Sequence, residues 1–565
     1  MFRTLFIPSP SVFRTCRVQV SSLGTVVGIT SSATANVHIS APCTPVLNMT
    51  EPSAKRRRLS HTEKDDTMKR SNEIPTSLSH PISPPRKRRT CERKLVKSPF
   101  QLTTIRDLPA ESNIGAVSLH DLLGDPLIAE CWEFNYLHDV DFLMSHFDED
   151  TRSLVKVHIV HGFWKRDDMN RLSLEKQASQ YKNVTLHTAY MPEMFGTHHS
   201  KMLVLFRHDD TAQVIIHTAN MISQDWTNLT NGVWQTPRLP RLTESYKSSE
   251  TDMRIGYGPR FKTDLLNYLR AYNTKRQTCK SLVDELEKYD FGAVRGALVA
   301  SVPGRHDINE DDPRKTHWGW AGVKHALSPV PIQSGKSDIV VQISSIATLG
   351  ATDTWLKHTL FGPLSSTKTS SSKPEFKIIF PCPDEIRRSL DGYASGASIH
   401  MKIQSATQTK QLQYMKPILY HWANDCEKGI IEEGEIRDGG RKRAAPHIKT
   451  YIRYNENKTI DWALLTSANI SKQAWGEAAK TGQIRIASWE MGVLVWPELF
   501  ADGARMVGTF KTDTPTKEDL DGNEPLVGLR IPYSLPLQRY GDDEVPWVAT
   551  ASYTEPDWMG RFWRD

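Results

Sequence analysis

Two histidines with matching neighbours are the first sign of chemistry in this sequence. Each histidine precedes a lysine by two residues, and then an apolar run, a polar turn and a second apolar run lead to an asparagine. A tryptophan follows each asparagine after six residues. The repeated set is His199, Lys201 and Asn220 in the first copy and His447, Lys449 and Asn469 in the second. Two half-sites of the same composition predict one composite active site at a pseudo-two-fold seam.

The residue types of the repeat suit chemistry at phosphorus. Histidine and lysine two residues apart on an extended chain point to the same face, so both reach one group of substrate atoms. Two ammonium groups and two amides would surround a tetrahedral oxyanion such as a phosphate. One imidazole can attack phosphorus, while the other protonates the leaving oxygen and then activates a water. This chemistry needs neither a metal nor a cofactor, and we expect none.

The other histidines lack this pattern. A third His-x-Lys, at His400 and Lys402, is not followed by an apolar strand and an asparagine at the right distance. We interpret it as a chance match. His198 and His217 are expected to be structural, held by neighbouring groups.

Strands that alternate with helices, twice over, predict two α/β domains with largely buried sheets. Residues 201–206 and 213–217 read as a hairpin, and residues 131–147 read as one or more helices. We place an N-terminal domain at residues 105–300 and a C-terminal domain at residues 301–565. The last thirty residues are expected to wrap over the surface as coil.

Composition limits the function classes. No run of about 18 apolar residues occurs, so no membrane partner is expected. The seven cysteines are scattered, without C-x-x-C or a close group of Cys and His, which argues against a structural zinc site or a disulfide framework. Residues 1–100 carry 17 Lys and Arg against 6 Asp and Glu, whereas the remainder carries 54 against 59. Bulk charge therefore says nothing about nucleic-acid binding by the folded body.

Residues 1–104 are predicted to be a disordered basic tail with no core before about residue 105. Residues 1–50 contain no Asp or Glu, which is typical of a mitochondrial transit peptide but also of a disordered extension before a later start at Met49. The basic clusters at residues 55–58 and 85–89 are typical of nuclear import signals. We expect a nuclear protein, and mitochondrial delivery stays open.

The duplicated pattern resembles the phospholipase D superfamily. The usual His-x-Lys-x4-Asp is incomplete here, because Phe206 and Tyr454 stand where the aspartate is expected. The form without aspartate is similar to the eukaryotic tyrosyl-DNA phosphodiesterase family (type 1). The motifs that carry this resemblance lie between residues 105 and 565: FNY (134–136), GTHHSK, HTAN, VPGR (302–305), QISSIATLG (342–350), PHIKTY, TSANIS and SWEMGVL (488–494).

The resemblance implies the fold and the roles of the site residues. It implies two pseudo-two-fold-related α-β-α sandwich domains with one shared active site. By motif, His199 corresponds to the nucleophile, His447 to the acid and base, and Glu490 to the partner of the nucleophilic histidine. Asn231 takes the matching position near His447. The phosphate clamp would be Lys201, Lys449, Asn220 and Asn469.

The resemblance implies that the substrate is a DNA 3′ end, single-stranded or nicked, that carries a tyrosyl peptide from topoisomerase I, and we expect a monomer. The resemblance implies a groove for single-stranded DNA, with the candidate contacts Phe195, Ser344, Ser345, Thr348, Ser471 and Lys472. A wider mouth would take the peptide, with Tyr136 and Trp547 as candidates. Two alternatives stay open, namely a phospholipase-D-like hydrolase of a lipid or another diester, and a non-catalytic DNA-end binding protein.

Overall fold

The computed structural model describes residues 94–243, 253–366, 373–426, 429–516, 519 and 523–564. The chain forms two units, residues 1–87 and 88–565, and the elements below all belong to the second. The strands up to residue 240 are β1 Leu95–Val96, β2 Gln101–Leu102, β3 Ile128–Phe134, β4 Lys156–His161, β5 Val184–Thr188, β6 Met202–Arg207, β7 Thr211–His217, β8 Gly232–Gln235 and β9 Leu239–Pro240. Those that follow are β10 Ala297–Ser301, β11 Gly304–Asp307, β12 Ser337–Gln342, β13 Ser345–Ile346, β14 Glu375–Ile379, β15 His400–Met401, β16 Leu419–Tyr420, β17 Ile430–Ile431, β18 Thr450–Asn455, β19 Ile460–Thr466, β20 Glu477–Ala478, β21 Gln483–Ile486, β22 Glu490–Val495, β23 Arg505–Thr509, β24 Leu526–Arg530 and β25 Gln538–Arg539.

Helices lie between and beside these strands. The α-helices are α1 Leu119–Leu123, α2 Val140–Ser145, α3 Met169–Ala178, α4 Ser223–Thr227, α5 Gly258–Ala271, α6 Lys280–Leu286, α7 Gly319–Leu327, α8 Gly362–Leu364, α9 Pro383–Arg387, α10 Ala406–Met415 and α11 Lys472–Trp475, with a π-helical turn at Trp355–Phe361.

Two sheets repeat one strand order, which is the structural counterpart of the sequence duplication. The first sheet runs β8-β7-β6-β3-β4-β5, and the second contains β22-β19-β18-β12-β14-β16. The pairings match in direction as well: the first three in each series are antiparallel and the last two are parallel. The hairpin β6–β7 therefore corresponds to β18–β19, and each hairpin follows one His-x-Lys.

The predicted hairpin is present, and both faces of its strands are buried. In β6, Leu203 and Leu205 face one apolar cluster with α1–α3, while Met202 and Val204 face a larger cluster that includes residues of the second sheet. Burial of both faces explains why these strands read as continuous apolar runs rather than alternating ones. The larger cluster joins the two halves through one apolar core.

The prediction of helix over residues 131–147 was wrong in its first part. Residues 128–134 form β3, a central strand of the first sheet, and a helix begins only at Val140. Cys131, Trp132 and Phe134 are all buried, on both faces of the sheet. A strand buried on both sides has no alternation, so its apolar spacing cannot be distinguished from that of a buried helix.

The folded body also begins earlier than residue 105. Phe100 and Leu102 are buried, β1 pairs with β24, and β2 pairs with β8. These strands are two residues long each, which is too short for a hydrophobic alternation that could be detected in the sequence. The predictions for the tail up to residue 93, including both basic clusters and the targeting signals, lie outside the described residues.

The division at residues 300 and 301 stays a prediction, although β10 already pairs with β22 of the second sheet. Among the helices that the structure describes, none has the length and apolar character to cross a membrane.

Candidate active site

Each His-x-Lys is attached to the opposite half of the molecule by its backbone. The His199 amide donates to the Trp489 carbonyl at 3.0 Å, and the His447 amide donates to the Thr230 carbonyl at 2.9 Å. The residues that follow those two carbonyls are Glu490 and Asn231. The duplication thus places the partner of each histidine in the other half. Glu490 is the first residue of β22, and Asn231 immediately precedes β8.

His199 is oriented by a carboxylate. Its Nδ1 lies 2.9 Å from Glu490 Oε2, and the Ser467 hydroxyl donates to the same oxygen at 2.5 Å. A carboxylate acceptor at Nδ1 fixes the tautomer in which Nε2 carries the free lone pair. The nucleophilic atom would therefore be Nε2, as the role predicted for Glu490 requires.

His447 is oriented by two acceptors. Its Nδ1 lies 3.2 Å from Asn231 Oδ1 and 3.0 Å from Asp225 Oδ2. The Thr218 hydroxyl donates to Asn231 Oδ1 at 2.8 Å, as Ser467 does to Glu490 in the other half. Sequence reasoning found Asn231 but missed Asp225, Thr218 and Ser467. The hydroxyls could have been found, since they open the repeated Thr/Ser-Ala-Asn, whereas the second copy holds Ala474 where the first holds Asp225.

The two lysines keep hydrogen-bonding capacity for a ligand. The Lys201 ammonium donates to the His199 carbonyl at 3.1 Å, and that of Lys449 donates to the His447 carbonyl; within the described part of the chain these are their only hydrogen bonds. Burial lowers the pKa of Lys201 to about 8, and burial together with the charge of Lys201 lowers the pKa of Lys449 well below its usual value. Two desolvated cations side by side are stabilised by an anion between them.

The two asparagines present their amide nitrogens. Asn469 Oδ1 accepts from the backbone amides of Ser344 and Ser345 at 3.0 and 2.9 Å. Asn220 is positioned through its backbone, which donates to Asp225 at 2.7 Å, and its Nδ2 has no hydrogen bond to a described residue. The two tryptophans of the repeat have a structural role, because each indole donates to the carbonyl of its asparagine.

The charged state of the empty site follows from burial. Burial lowers the pKa of His447 to about 4 and also lowers the pKa of His199, although Glu490 opposes that effect. Burial raises the pKa of Asp225 and Glu490, but the histidines, the other hydrogen-bond donors and the nearby lysines together outweigh it and hold both pKa values below their usual range. Both imidazoles are therefore neutral at pH 7. The cation of each half also lowers the pKa of the other half's histidine, so the two half-sites share one electrostatic environment.

Phe195 and Tyr136 both have exposed surface, and Tyr136 lies beside His199. Phe195 is 81% exposed and has a positive φ of 62°. That conformation is strained for a bulky residue. Tyr136 is 37% exposed, and its ring centroid lies 5.7 Å from that of His199. Neither is a core aromatic, and their substrate contacts stay predictions.

One of the predicted substrate contacts is wrong, and a second is nearly buried. Trp547 has no exposed surface; its ring stacks with Tyr393 and its indole donates to the Gly396 carbonyl. It anchors the C-terminal segment in the core, so the expectation that this segment is only surface coil fails here. Ser344 is 1% exposed, and its backbone amide donates to Asn469 Oδ1; its contact with a DNA phosphate stays a prediction.

The remaining groove candidates stay predictions, and all have accessible surface: Ser345, Thr348, Ser471 and Lys472. Thr348 faces Gln408, and Ser471 caps the start of α11. Lys472 lies 3.8 Å from Glu477, a loose pair that leaves its ammonium available.

His198 is structural, as predicted, since its two ring nitrogens meet the Asn135 carbonyl and the Tyr272 hydroxyl at 2.8 and 2.9 Å. His217 is buried against Trp226. His400 pairs with Ser345, and burial, with smaller effects of Lys402 and Lys449, lowers its pKa.

The comparisons with known proteins agree with this geometry. A family model described as tyrosyl-DNA phosphodiesterase matches residues 99–541. A probable tyrosyl-DNA phosphodiesterase of Schizosaccharomyces pombe is 30% identical, covering 85% of this chain and 98% of that protein. Tyrosyl-DNA phosphodiesterase 1 of Drosophila melanogaster is 31% identical over 79% of this chain and 73% of its own length. The crystal structure of the yeast tyrosyl-DNA phosphodiesterase has the same fold, with a TM-score of 0.54 at 19% identity over 80% of this chain and 99% of that one. On the family match and the pombe relative, this chain belongs to the tyrosyl-DNA phosphodiesterase family.

Proposed function

We propose that this protein hydrolyses the phosphodiester bond between a DNA 3′ end and a tyrosine of topoisomerase I, through a phosphohistidine intermediate, and leaves a 3′-phosphate. The observation that carries the proposal is the reciprocal arrangement of the two histidines. Each imidazole has its Nδ1 held by a carboxylate of the opposite half, His199 by Glu490 and His447 by Asp225. Such pairs leave two reactive Nε2 atoms beside two cations with unused donors.

In the first step, His199 Nε2 attacks phosphorus. The P–Nε2 bond forms as the bond from phosphorus to the phenolic oxygen breaks, and His447 Nε2 delivers a proton to that oxygen. Because tyrosine has a pKa of about 10, its phenolate is a far better leaving group than an alkoxide, and one imidazolium suffices as the acid. The phosphate anion raises the pKa of His447 from its low value in the empty site, so substrate binding itself supplies the charged acid.

In the second step, neutral His447 takes a proton from water as the water oxygen attacks phosphorus. The P–Nε2 bond breaks and returns His199 to its starting form. Lys201, Lys449 and the amides of Asn220 and Asn469 stabilise the charge on the equatorial oxygens in both steps. The proton that His447 gives to the tyrosyl oxygen in the first step is regained from water in the second, so bonds and protons balance over the two steps.

The DNA strand is proposed to lie along the face that Phe195 presents. Residues on either side of Phe195 are bonded to the second half. The Thr197 amide donates to the Ser488 hydroxyl, and the Glu193 carboxylate forms an ion pair with Arg485 at 2.7 Å. A strained, exposed aromatic on a clamped loop suits a platform on which a base stacks. Recognition of a single strand, action on other blocked 3′ ends, a monomeric state and delivery to the nucleus belong to the same proposal.

A single assay tests the chemistry. A 5′-labelled oligonucleotide with a 3′-phosphotyrosine should be converted by the wild-type protein to the 3′-phosphate. His199→Ala should give neither product nor adduct, while His447→Ala should slow release and accumulate a covalent protein–DNA adduct. His208→Ala, an exposed histidine in the β6–β7 turn, is the matched control and should behave as wild type.

The alternatives are outcomes of the same experiment. Rapid turnover by His199→Ala would refute the nucleophile assignment. Binding of the oligonucleotide without turnover by the wild type would favour a DNA-end binding protein. Hydrolysis of phosphatidylcholine vesicles instead of the oligonucleotide would favour a lipid hydrolase.

A further inference from the structure

We propose that Cys382, His421, Cys426 and Glu544 form a zinc site that fastens the C-terminal segment to the second half. No role in the reaction above uses any of these residues. His421 and Cys426 are five residues apart, but Cys382 and Glu544 are distant in the sequence, so no motif of three or four ligands is visible in the linear chain. In the folded chain their four ligand atoms all lie within 4.8 Å of one another.

The spacing of the two sulfurs suits tetrahedral coordination. The Sγ atoms of Cys382 and Cys426 are 3.7 Å apart. Two thiolates at about 2.3 Å from one zinc ion, at the tetrahedral angle, are separated by about 3.8 Å. His421 Nε2 and Glu544 Oε2, which are 2.9 Å apart, complete a set of two sulfurs, one nitrogen and one oxygen. That is a ligand set that zinc accepts.

A second carboxylate orients the histidine from behind. Glu385 Oε2 lies 3.2 Å from His421 Nδ1, which leaves Nε2 for the metal. Glu385 is itself fixed, because it accepts from the backbone amides of Cys382 at 2.9 Å and Ala423 at 2.7 Å. A carboxylate on the far nitrogen of a ligating histidine is the usual support of a zinc site. Glu385 thus holds the backbone of one ligand, Cys382, the ring of a second, His421, and the backbone of Ala423, which lies between His421 and Cys426.

Burial separates a metal site from an ordinary polar cluster. Cys382, Cys426 and His421 are buried, and Tyr540 stacks on the His421 ring at 4.6 Å. Only Glu544 is partly exposed, at the rim of a cavity of about 680 Å³ that both cysteines also line. The cavity gives an ion an entry path to otherwise enclosed ligands.

A disulfide accounts for less of this geometry. The sulfurs are far beyond the roughly 2.05 Å of an S–S bond. A disulfide would also leave unexplained an imidazole placed between two carboxylates beside the thiols. With zinc, the thiolates and Glu544 all become ligands, and Glu385 becomes the support of His421.

The site would join three segments near the catalytic loop. Cys382 begins α9, His421 and Cys426 follow β16, and Glu544 lies on the C-terminal segment that also carries Trp547. The segment after β16 holds the loop before His447 through Trp422, whose indole donates to the Arg441 carbonyl at 3.1 Å. Loss of zinc should therefore lower the melting temperature, while the catalytic groups stay chemically complete.

The test is metal content of the full-length protein, expressed with added zinc and dialysed against metal-free buffer. We expect about one zinc per chain, lost in Cys382→Ser and in Cys426→Ser. Cys279→Ser is the matched control, since Cys279 is a buried cysteine outside the cluster, and it should keep the metal. EDTA should lower the melting temperature of the wild type and of the control but not of the two site variants.

Cobalt exchange keeps the proposal testable even if the variants fold poorly. Cobalt bound to the wild-type protein should give the intense thiolate charge-transfer and tetrahedral d–d absorption of a site with sulfur ligands. The proposal is overturned if the wild-type protein, prepared with added zinc, contains no bound metal. It is equally overturned if both site variants retain the metal. It is also overturned by a Cys382–Cys426 disulfide in the purified protein, detected by thiol alkylation and mass spectrometry. Because none of these readouts depends on turnover, they stand apart from the proposed reaction.

Discussion

Replacement of Asp225 by asparagine should damage the acid and base without displacing it. Asp225 Oδ2 is 3.0 Å from His447 Nδ1, and the same oxygen accepts from the Asn220 amide. Asparagine keeps the size and an oxygen acceptor for Asn220. Asn231 continues to accept from His447 Nδ1, so the tautomer is retained. What is lost is the negative charge beside the imidazolium.

The size of the effect follows from the charge separation. Two unit charges about 4 Å apart interact by about 4 kcal/mol at an effective dielectric constant of 20, the value suited to such sites. That energy equals about three pKa units of His447, or a factor of about 10³ in a step that needs the imidazolium. Screening by Lys201 and Lys449 reduces it, and we expect a loss of about 10²- to 10³-fold in the cleavage step.

Single-turnover kinetics with two leaving groups should isolate this loss. With tyrosine as the leaving group, the Asp225→Asn protein should cleave slowly. With 4-nitrophenol, whose anion needs no proton to depart, the first step should recover nearly to the wild-type rate, while hydrolysis of the phosphohistidine stays slow. Asp264→Asn removes a buried carboxylate paired with Arg260 outside the site, and it controls for general destabilisation.

An equal loss with both leaving groups would refute the reasoning. Asp225 would then act by holding the structure of α4 and Asn220 rather than by stabilising charge on His447. Melting temperatures of the two aspartate variants, measured together, separate these readings.

Three further predictions follow from burial and charge. Phe195→Ala should remove a stacking contact worth about 1–3 kcal/mol per base and so raise KM for single-stranded substrates with little change in kcat; an unchanged KM would remove Phe195 from the groove. Trp547→Ala should cost about 3–5 kcal/mol of stability, measured by denaturant unfolding, and leave KM for tyrosyl peptides of different length unchanged; a length-dependent KM would restore it as a peptide contact. For the pH dependence, Lys201 is charged below its pKa of about 8 and loses its charge as the pH rises through that value, so kcat/KM should fall above pH 8; a flat profile to pH 10 would contradict its role as a charged clamp.

The repeat predicted most of the site because a functional residue in one copy has a counterpart at the equivalent position of the other. His199 and His447, with their lysines and asparagines, occupy equivalent places before β6 and β18, and the partners Glu490 and Asn231 occupy equivalent places at β22 and β8. Comparison of the copies cannot find a residue that only one half possesses. Asp225 has Ala474 as its counterpart, and for that reason only the structure identifies it.

Other errors have equally local causes. The aromatic character of Trp547 suits a binding surface and a core alike, and only its stacking partners decide between them. For Ser344 and Ser345, the motif does not tell which of two adjacent serines is accessible, and only the structure shows that Ser345 is the more exposed. The group of Cys382, His421, Cys426 and Glu544 is assembled from three segments, so no spacing rule applied to one stretch of sequence could detect it.

Each histidine is oriented by residues of the other half, so the site is complete only where the two halves meet. His199 depends on Trp489 and Glu490 for its position, and His447 depends on Thr230 and on the partners that flank it. A half expressed alone would keep its His-x-Lys but lose the carboxylate that fixes the tautomer and supports the charge of its imidazole. The shared apolar core would also be cut, since strands of both sheets contribute to it. Duplication alone therefore supplies two similar histidines. For both to take part in the proposed reaction, His199 needs Glu490 and His447 needs Asp225, each from the other half.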